Sequence, residues 1–482
     1  MMEKNSKKNN FLTAIGVYFA DFGKAFSKGD AAVKLSALIM GTGYIARGQI
    51  VNGILMILFE IVFGLVLGLY AIPNLTKFGT LGTVQFEQVF DPLTMQSTVN
   101  DYDNSFLILL GSVISMIIIL VFVLVYIANV KNAYKLMVAK QEGKHINTFS
   151  EDCKAMLNGK FHITLLTLPT LGVVLMNIIP IFVLVFIAFT NYDQNHMPPA
   201  ALFSWVGLTN FKTMFTSSTT STFGYAFGKI LVWTLEWAAL ATFTTFIGGI
   251  LLAKLINDKR TKLPKMWRTL FIISIAVPQF VTLLLVRNFF ADAGIVNTLC
   301  SQSGITSFLQ SIGLVSTRID YIPFFTDPHW AKFMIVMVNI WVGIPYQMLI
   351  ATGVLMNIPE EQIESAKIDG ANAFQIFWKI TMPYVLFIQG PALITDFVKN
   401  INNFNVIYLL TQDIYVTPDQ LMANSNAKEI DLLVTWLFRL TNEYYNYKMA
   451  SVIGIIVFVI CATFTLLTYT RMIKGDKEED FQ

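Results

Sequence analysis

Eight apolar runs decide most of what this 482-residue chain can fold into. They fall at 50–72, 105–129, 163–189, 228–256, 269–291, 332–355, 384–410 and 447–470. A hydrocarbon core about 30 Å thick is crossed by about 20 apolar residues of helix. Lipid offers no partner to backbone N–H and C=O groups, so each run is expected to close its hydrogen bonds internally as a helix. Charged residues make up 13% of the chain, where soluble domains carry about 25%. The expected fold class is an all-α integral membrane protein with about eight transmembrane helices. The stretch 35–46 is apolar but too short to span, and is expected to be interfacial or re-entrant.

Eight spans put both termini on one side. Lys and Arg number 24 on that face and 8 on the other, with Arg287 and Lys399 inside spans. Positive charge favours the cytoplasm, so both termini are expected there, together with residues 356–383. The first ten residues hold three lysines and do not suit a cleavable signal peptide.

Several chemistries are excluded. Cys153, Cys300 and Cys461 are far apart, and the four histidines form no HExxH or Cys/His cluster, so no metal site is expected. No GxxxxGK[ST] loop occurs, so the chain itself is not expected to hydrolyse ATP, and it is no enzyme on this reading. Glu60, Glu236 and Arg287 stand alone and make no proton relay. Nothing points to nucleic acid.

Two polar clusters interrupt the apolar runs. In one, Asn339, Gly343 and Tyr346 (or Gln347) share a helix face at i, i+4 and i+7, next to Pro345. In the other, Asp396, Lys399, Asn400, Asn402, Asn403 and Asn405 crowd the middle of a span, with Asp396 and Lys399 spaced to pair. Amides and aromatic faces suit sugar hydroxyls and ring faces. Membrane asparagines equally suit hydrogen bonds between helices, and on the residues alone both readings stand.

A third feature lies on the cytoplasmic side. Pro359, Glu360 and Glu361 start a helix. Gly370 ends it, and a second short helix over 371–382 carries Phe374, Phe377 and Trp378 and is closed by Pro383. The sequence Glu364-Ser365-Ala366, Asp369-Gly370, Ile380 and Pro383 resembles the E-A-A-x3-G-x9-I-x-L-P loop of ABC-importer permeases. Ser365 and Met382 depart from that pattern without a large change in volume. The bland alternative is a helical hairpin that joins two spans and binds nothing.

Residues 161–482 resemble the larger permease subunit of maltose/maltodextrin ABC importers (the MalF family). The likeness is carried by Ile187 to Tyr192, Val338 to Leu349, Asn402-Asn403-Phe404, Leu409-Leu410-Thr411 and Asp431 to Val434. The resemblance implies a six-helix type I permease core in a bacterial cell membrane. It implies sugar contact by Asn339, Val342, Gly343 and Tyr346 on one span and Lys399, Asn400 and Asn403 on another. It implies ATPase coupling through Glu364, Ala366, Asp369, Gly370, Ile380 and Pro383. The implied partners are a second homologous permease, a dimer of ATP-binding subunits that hold ATP and Mg, an extracellular solute-binding protein, membrane lipid and an oligosaccharide. This chain binds no cofactor of its own on that reading.

The implied organisation is a basic arm over 1–49, two helices and a cytoplasmic linker over 50–160, and the permease domain over 161–482 with its coupling loop at 356–383. Two departures bear on the substrate and source. Lys399 stands where the family archetype has an aromatic ring, and the loop after Tyr192 is short, as in Gram-positive relatives. Maltodextrin or a galacto-oligosaccharide is the expected cargo. The alternatives are a polyol, an acidic sugar, or a gradient-driven transporter of another class.

Overall fold

The computed structural model describes residues 10–91, 96–216, 222–412 and 414–474. The lysine-rich first nine residues and most of the Ser/Thr-rich loop expected at 216–222 lie outside the described residues. The chain divides into two compact units, Met1–Val206 and Gly207–Gln482.

The first unit contains α1 (Asn10–Lys28), α2 (Ala31–Leu35), α3 (Thr42–Ile45), α4 (Ile50–Phe78), α5 (Ser105–Gln141), α6 (Phe149–Leu157) and α7 (Phe161–Ile187). One antiparallel hairpin, Gln88–Asp91 against Gln96–Val99, stands outside the all-α expectation. The short stretch 35–46 makes no span. It folds as α2, a turn and α3, and side chains from longer helices satisfy its irregular backbone. Glu60 accepts from the Met40 N–H at 2.8 Å, Asn129 from the Gly41 N–H at 3.1 Å, and Tyr126 donates to the Ala37 carbonyl at 2.9 Å. Broken backbone at membrane depth needs such partners, which gives the isolated Glu60 a structural role.

The second unit contains α8 (Phe223–Asn257), α9 (Pro264–Ala276), α10 (Gln279–Phe289), α11 (Pro328–Leu355), α12 (Glu360–Ile368), α13 (Ala373–Ile376), α14 (Met382–Ile401), α15 (Phe404–Thr411), α16 (Leu433–Asn442) and α17 (Tyr447–Lys474). Helices α8 and α11 form its centre. A Cβ on Gly343 would stand 2.6 Å from Thr245 Cγ2, and one on Gly249 2.4 Å from Gln347 Cβ. Only glycine at those two positions lets the helices approach so closely.

Among the described residues, six helices are long and apolar enough to cross a membrane: α4, α5, α7, α8, α11 and α17. Two of the eight expected spans differ. The run at 269–291 is not one rod, because α9 and α10 meet at a 91° bend. Pro278 removes a backbone donor and drives Val277 out of the helical region, to φ −76° and ψ 126°. The run at 384–410 breaks into α14 and α15 at Asn402 and Asn403, where the Asn403 side chain accepts from the Val406 N–H and opens a new helix.

Proline also marks three wide turns. The π-helical segments Leu67–Ala71, Val174–Ile178 and Phe377–Thr381 each end two residues before a proline: Pro73, Pro180 and Pro383. A proline ring collides with the carbonyl four residues back, and widening the preceding turn relieves that clash without ending the helix. Pro383 therefore does not close the second knob helix, contrary to expectation. The helical path runs on from α13 through Phe377–Thr381 into α14.

Candidate functional site

One set of polar groups in the second unit falls in a layer between two apolar clusters. Trp233, Trp237, Ile335, Val338 and Leu410 belong to one cluster, and Phe246, Ile250, Met348, Val354 and Val385 to the other. Along α8 the layer is marked by Thr242 and Thr245, and along α11 by Asn339, Gly343 and Gln347. Facing them is the polar stretch of α14 and the break that follows it.

A cavity of about 350 Å³ opens in this layer. Asn339, Val342, Gly343 and Tyr346 line it from α11, Lys399 and Asn400 from α14, and Asn403 from the break. All seven residues that the resemblance implies as sugar contacts thus line one cavity. Gln347, the alternative to Tyr346 on that helix face, also lines it, as do Thr245 and Gln279, which sequence reasoning did not single out. Thr245 lies in an apolar run and satisfies its own helix by donating to the Ala241 carbonyl at 2.7 Å, so it carries little sequence signal. Gln279 follows Pro278, and only the bend at that proline turns it toward the cavity.

A hydrogen-bond network fixes the far wall. Asn400 donates to Thr242 Oγ1 at 3.0 Å, Asn403 donates to Asn400 Oδ1 at 3.4 Å, and the Trp237 indole donates to the Asn400 carbonyl at 3.1 Å. The spacing of Asp396 and Lys399 allowed an ion pair, but none forms within 4.0 Å among the described residues. Asp396 instead accepts from Gln347 Nε2 at 2.7 Å, across the α11–α14 interface. Lys399 lines the cavity with an exposed ammonium. The cavity thus offers amide donors and acceptors, the Thr245 hydroxyl, the Tyr346 and Phe404 rings, one carboxylate and one ammonium, a set that suits a ligand rich in hydroxyls. It has no cluster of His, Cys, Asp or Glu able to hold a metal ion among the described residues.

The knob stands at the end of α11. Glu364 and Ala366 lie on α12, Asp369 caps its C-terminus, and Gly370 turns the chain at φ 82°. Asn372 and Gln375 form a reciprocal cap on α13. Ile380 and Pro383 are half-buried in the continuous helix beyond. Ile376, Phe377 and Met382 face the core, whereas Ile368 is 87% exposed and Phe374 72%. Lys259, in the loop after α8, holds Glu360 at 2.8 Å. Its hydrogen bond keeps the Glu360 carboxyl below the usual carboxylate range. A rigid two-helix turn with exposed apolar side chains is a surface suited to a groove in another protein.

Residues 245–473 match the family model described as binding-protein-dependent transport system inner membrane component. The maltodextrin transport system permease protein MalC of Streptococcus pneumoniae is 32% identical over 453 residues, covering 92% of this chain and 96% of that protein. The maltodextrin permease MdxF of Bacillus subtilis is 32% identical over 448 residues, with coverage of 92% and 96%. The galactooligosaccharide permease GanP of Bacillus subtilis is 31% identical over 447 residues, with coverage of 92% and 98%. A bacterial ABC transporter involved in the import of the acidic polysaccharide alginate shares the fold, with a TM-score of 0.50 at 22% identity over 68% of this chain and 99% of that one.

Proposed function

The chain belongs to the binding-protein-dependent transport system inner membrane components, and on that premise we propose that its polar cavity passes malto-oligosaccharides across the membrane. It is a permease subunit of an ABC sugar importer and not an enzyme. The observation that supports the cargo best is the convergence of Asn339 and Tyr346 from α11, Asn400 from α14 and Asn403 from the break beyond it on one cavity. Hydroxyl-rich neutral ligands need such a set, because each amide both donates and accepts.

In this reading a solute-binding protein delivers the sugar from outside, a second permease completes the pore, and a pair of ATPase subunits binds ATP and Mg below. Both termini and the knob face the cytoplasm, in keeping with the distribution of Lys and Arg. The Glu364–Pro383 knob docks on an ATPase subunit. ATP binding favours one conformation and hydrolysis another, each by differential contacts, and the cavity opens alternately to the two sides. The arrangement Gln347–Asp396 leaves Lys399 without a carboxylate partner among the described residues. That ammonium supports a second reading, an oligosaccharide carrying a carboxylate.

Competition for uptake by the reconstituted importer separates the readings. Labelled maltotetraose uptake should be inhibited by unlabelled maltodextrin and not by an oligouronate, and Asn403→Ala should raise the apparent KM about tenfold, a loss of about 1.4 kcal/mol. Inhibition by the oligouronate alone would transfer the assignment to the acidic sugar.

A further inference from the structure

The end of the second unit away from the knob holds another cavity, of about 590 Å³. It lies between the first turns of α8 and α11, and Lys229, Trp233, Glu236, His329, Lys332 and Glu429 line it. Three of these groups are already tied down. Lys229 pairs with Asp419 at 2.8 Å, and the Trp233 indole donates to the Ile430 carbonyl at 3.2 Å. Glu429 accepts from Tyr415 at 2.7 Å and also from Thr417. These bonds make the walls rigid. Glu236, His329 and Lys332 are different, because none of the three side chains has a hydrogen bond or ion pair among the described residues, and Glu236 and Lys332 carry full charges. The Lys332 ammonium rests 4.5 Å over the Trp233 ring.

Helix geometry relates this cavity to the chamber. Lys332 and Asn339 are seven residues apart on α11, so they share a face about 10 Å apart. On α8, Trp233 lines the upper cavity and Ala241 the lower, with Trp237 between them. Trp237 is fully buried and bonded to the Asn400 carbonyl. One indole layer thus separates two polar cavities stacked along the same pair of helices.

We propose that the upper cavity is an entry site where a neutral oligosaccharide waits before the chamber opens to it, a role that rests on the chamber reading above. A carboxylate accepts from two neighbouring hydroxyls and an ammonium donates to a third, and Glu236 and Lys332 supply one of each. Lysine charge is balanced by Asp419, Glu236 and Glu429, which disfavours an anion and suits an uncharged sugar. Val232, more than half exposed, supplies an apolar wall for a sugar ring edge.

Thiol protection in the reconstituted importer tests this. Cys153, Cys300 and Cys461 are replaced by serine, and Val232→Cys, an exposed wall position, supplies the reporter. Uptake by that protein is checked first. Maltotetraose at about ten times its dissociation constant should slow labelling of the new thiol about tenfold. The protection should persist when Asn339→Ala is added in the chamber, and vanish with Glu236→Gln and Lys332→Ala together. Absence of protection in a protein that still imports maltotetraose would overturn the entry site and leave the chamber reading intact. Protection by the solute-binding protein without sugar, and none by sugar alone, would make the cavity a protein-docking surface and overturn the proposal. A complex that imports no oligosaccharide at all would remove both.

Discussion

Asp396 joins two helices of the chamber through one hydrogen bond. Gln347 Nε2 donates to it at 2.7 Å, and this holds α14 against α11. Asp396→Ala leaves the Gln347 amide unpaired and should destabilise the protein by about 1–3 kcal/mol, while Asp396→Asn keeps an acceptor and costs less. Thermal unfolding in detergent of the two variants, side by side, checks the order. Asp419 makes a different prediction, at the other end of α8. The hydrogen bond from Lys229 holds its carboxyl down to about 2, with burial opposing and Tyr225 assisting. An unfolded aspartate titrates at about 3.9. Because the folded value is the lower, the pair stabilises the fold fully above about pH 4, and this contribution fades as pH falls toward about 2. Melting temperature against pH should drop less steeply in that window for Asp419→Asn than for the natural chain. At this scale the chamber was legible where polarity breaks an apolar run, as at Asn339, Asn400 and Asn403. Thr245 and Gln279 were not, since a threonine that bonds its own helix looks like any other, and a glutamine beside a bend is placed by the bend.

Glycine and proline govern what the elements do. Gly370 turns the knob at φ 82°, and no atom lies within 4 Å of a Cβ built there. Gly370→Val therefore acts through backbone strain of about 1–2 kcal/mol rather than through a clash, and shifts α12 against α13. Membrane insertion and folding should survive, while sugar-stimulated ATPase activity separates from transport. Normal coupled transport by that variant would count against the knob as the ATPase contact. The helices α4, α5, α7, α8, α11 and α17 were legible as long apolar runs, although α4 runs six residues and α5 twelve residues beyond the expected ends. The bend at Pro278 and the break at Asn402–Asn403 were not, although their residues carried the signal. An apolar run is read by its mean, and a mean does not show where one residue ends a helix. Pro383 was misread for the opposite reason: a wide turn before it absorbs the ring, and the helix continues.

For the whole molecule, the multi-pass membrane class followed from hydropathy, and the family from short motifs along the chain. The family assignment rests on identity of 32% over 92% of the chain. The organisation of the first 206 residues carried little sequence signal, because the pinning of 35–46 by Glu60, Tyr126 and Asn129 joins residues from 20 to 89 positions apart. The division of labour in the assembly is the central claim: this chain provides the path and a partner provides the energy. The most direct measurement is ATPase activity and uptake by the tagged chain purified with its partners from native membranes, with and without maltodextrin and its binding protein. The account predicts co-purification of a second permease and an ATPase, with hydrolysis and uptake that rise together when sugar and binding protein are added. Recovery of the chain alone, taking up sugar in vesicles under a proton or sodium gradient without ATP, would contradict it.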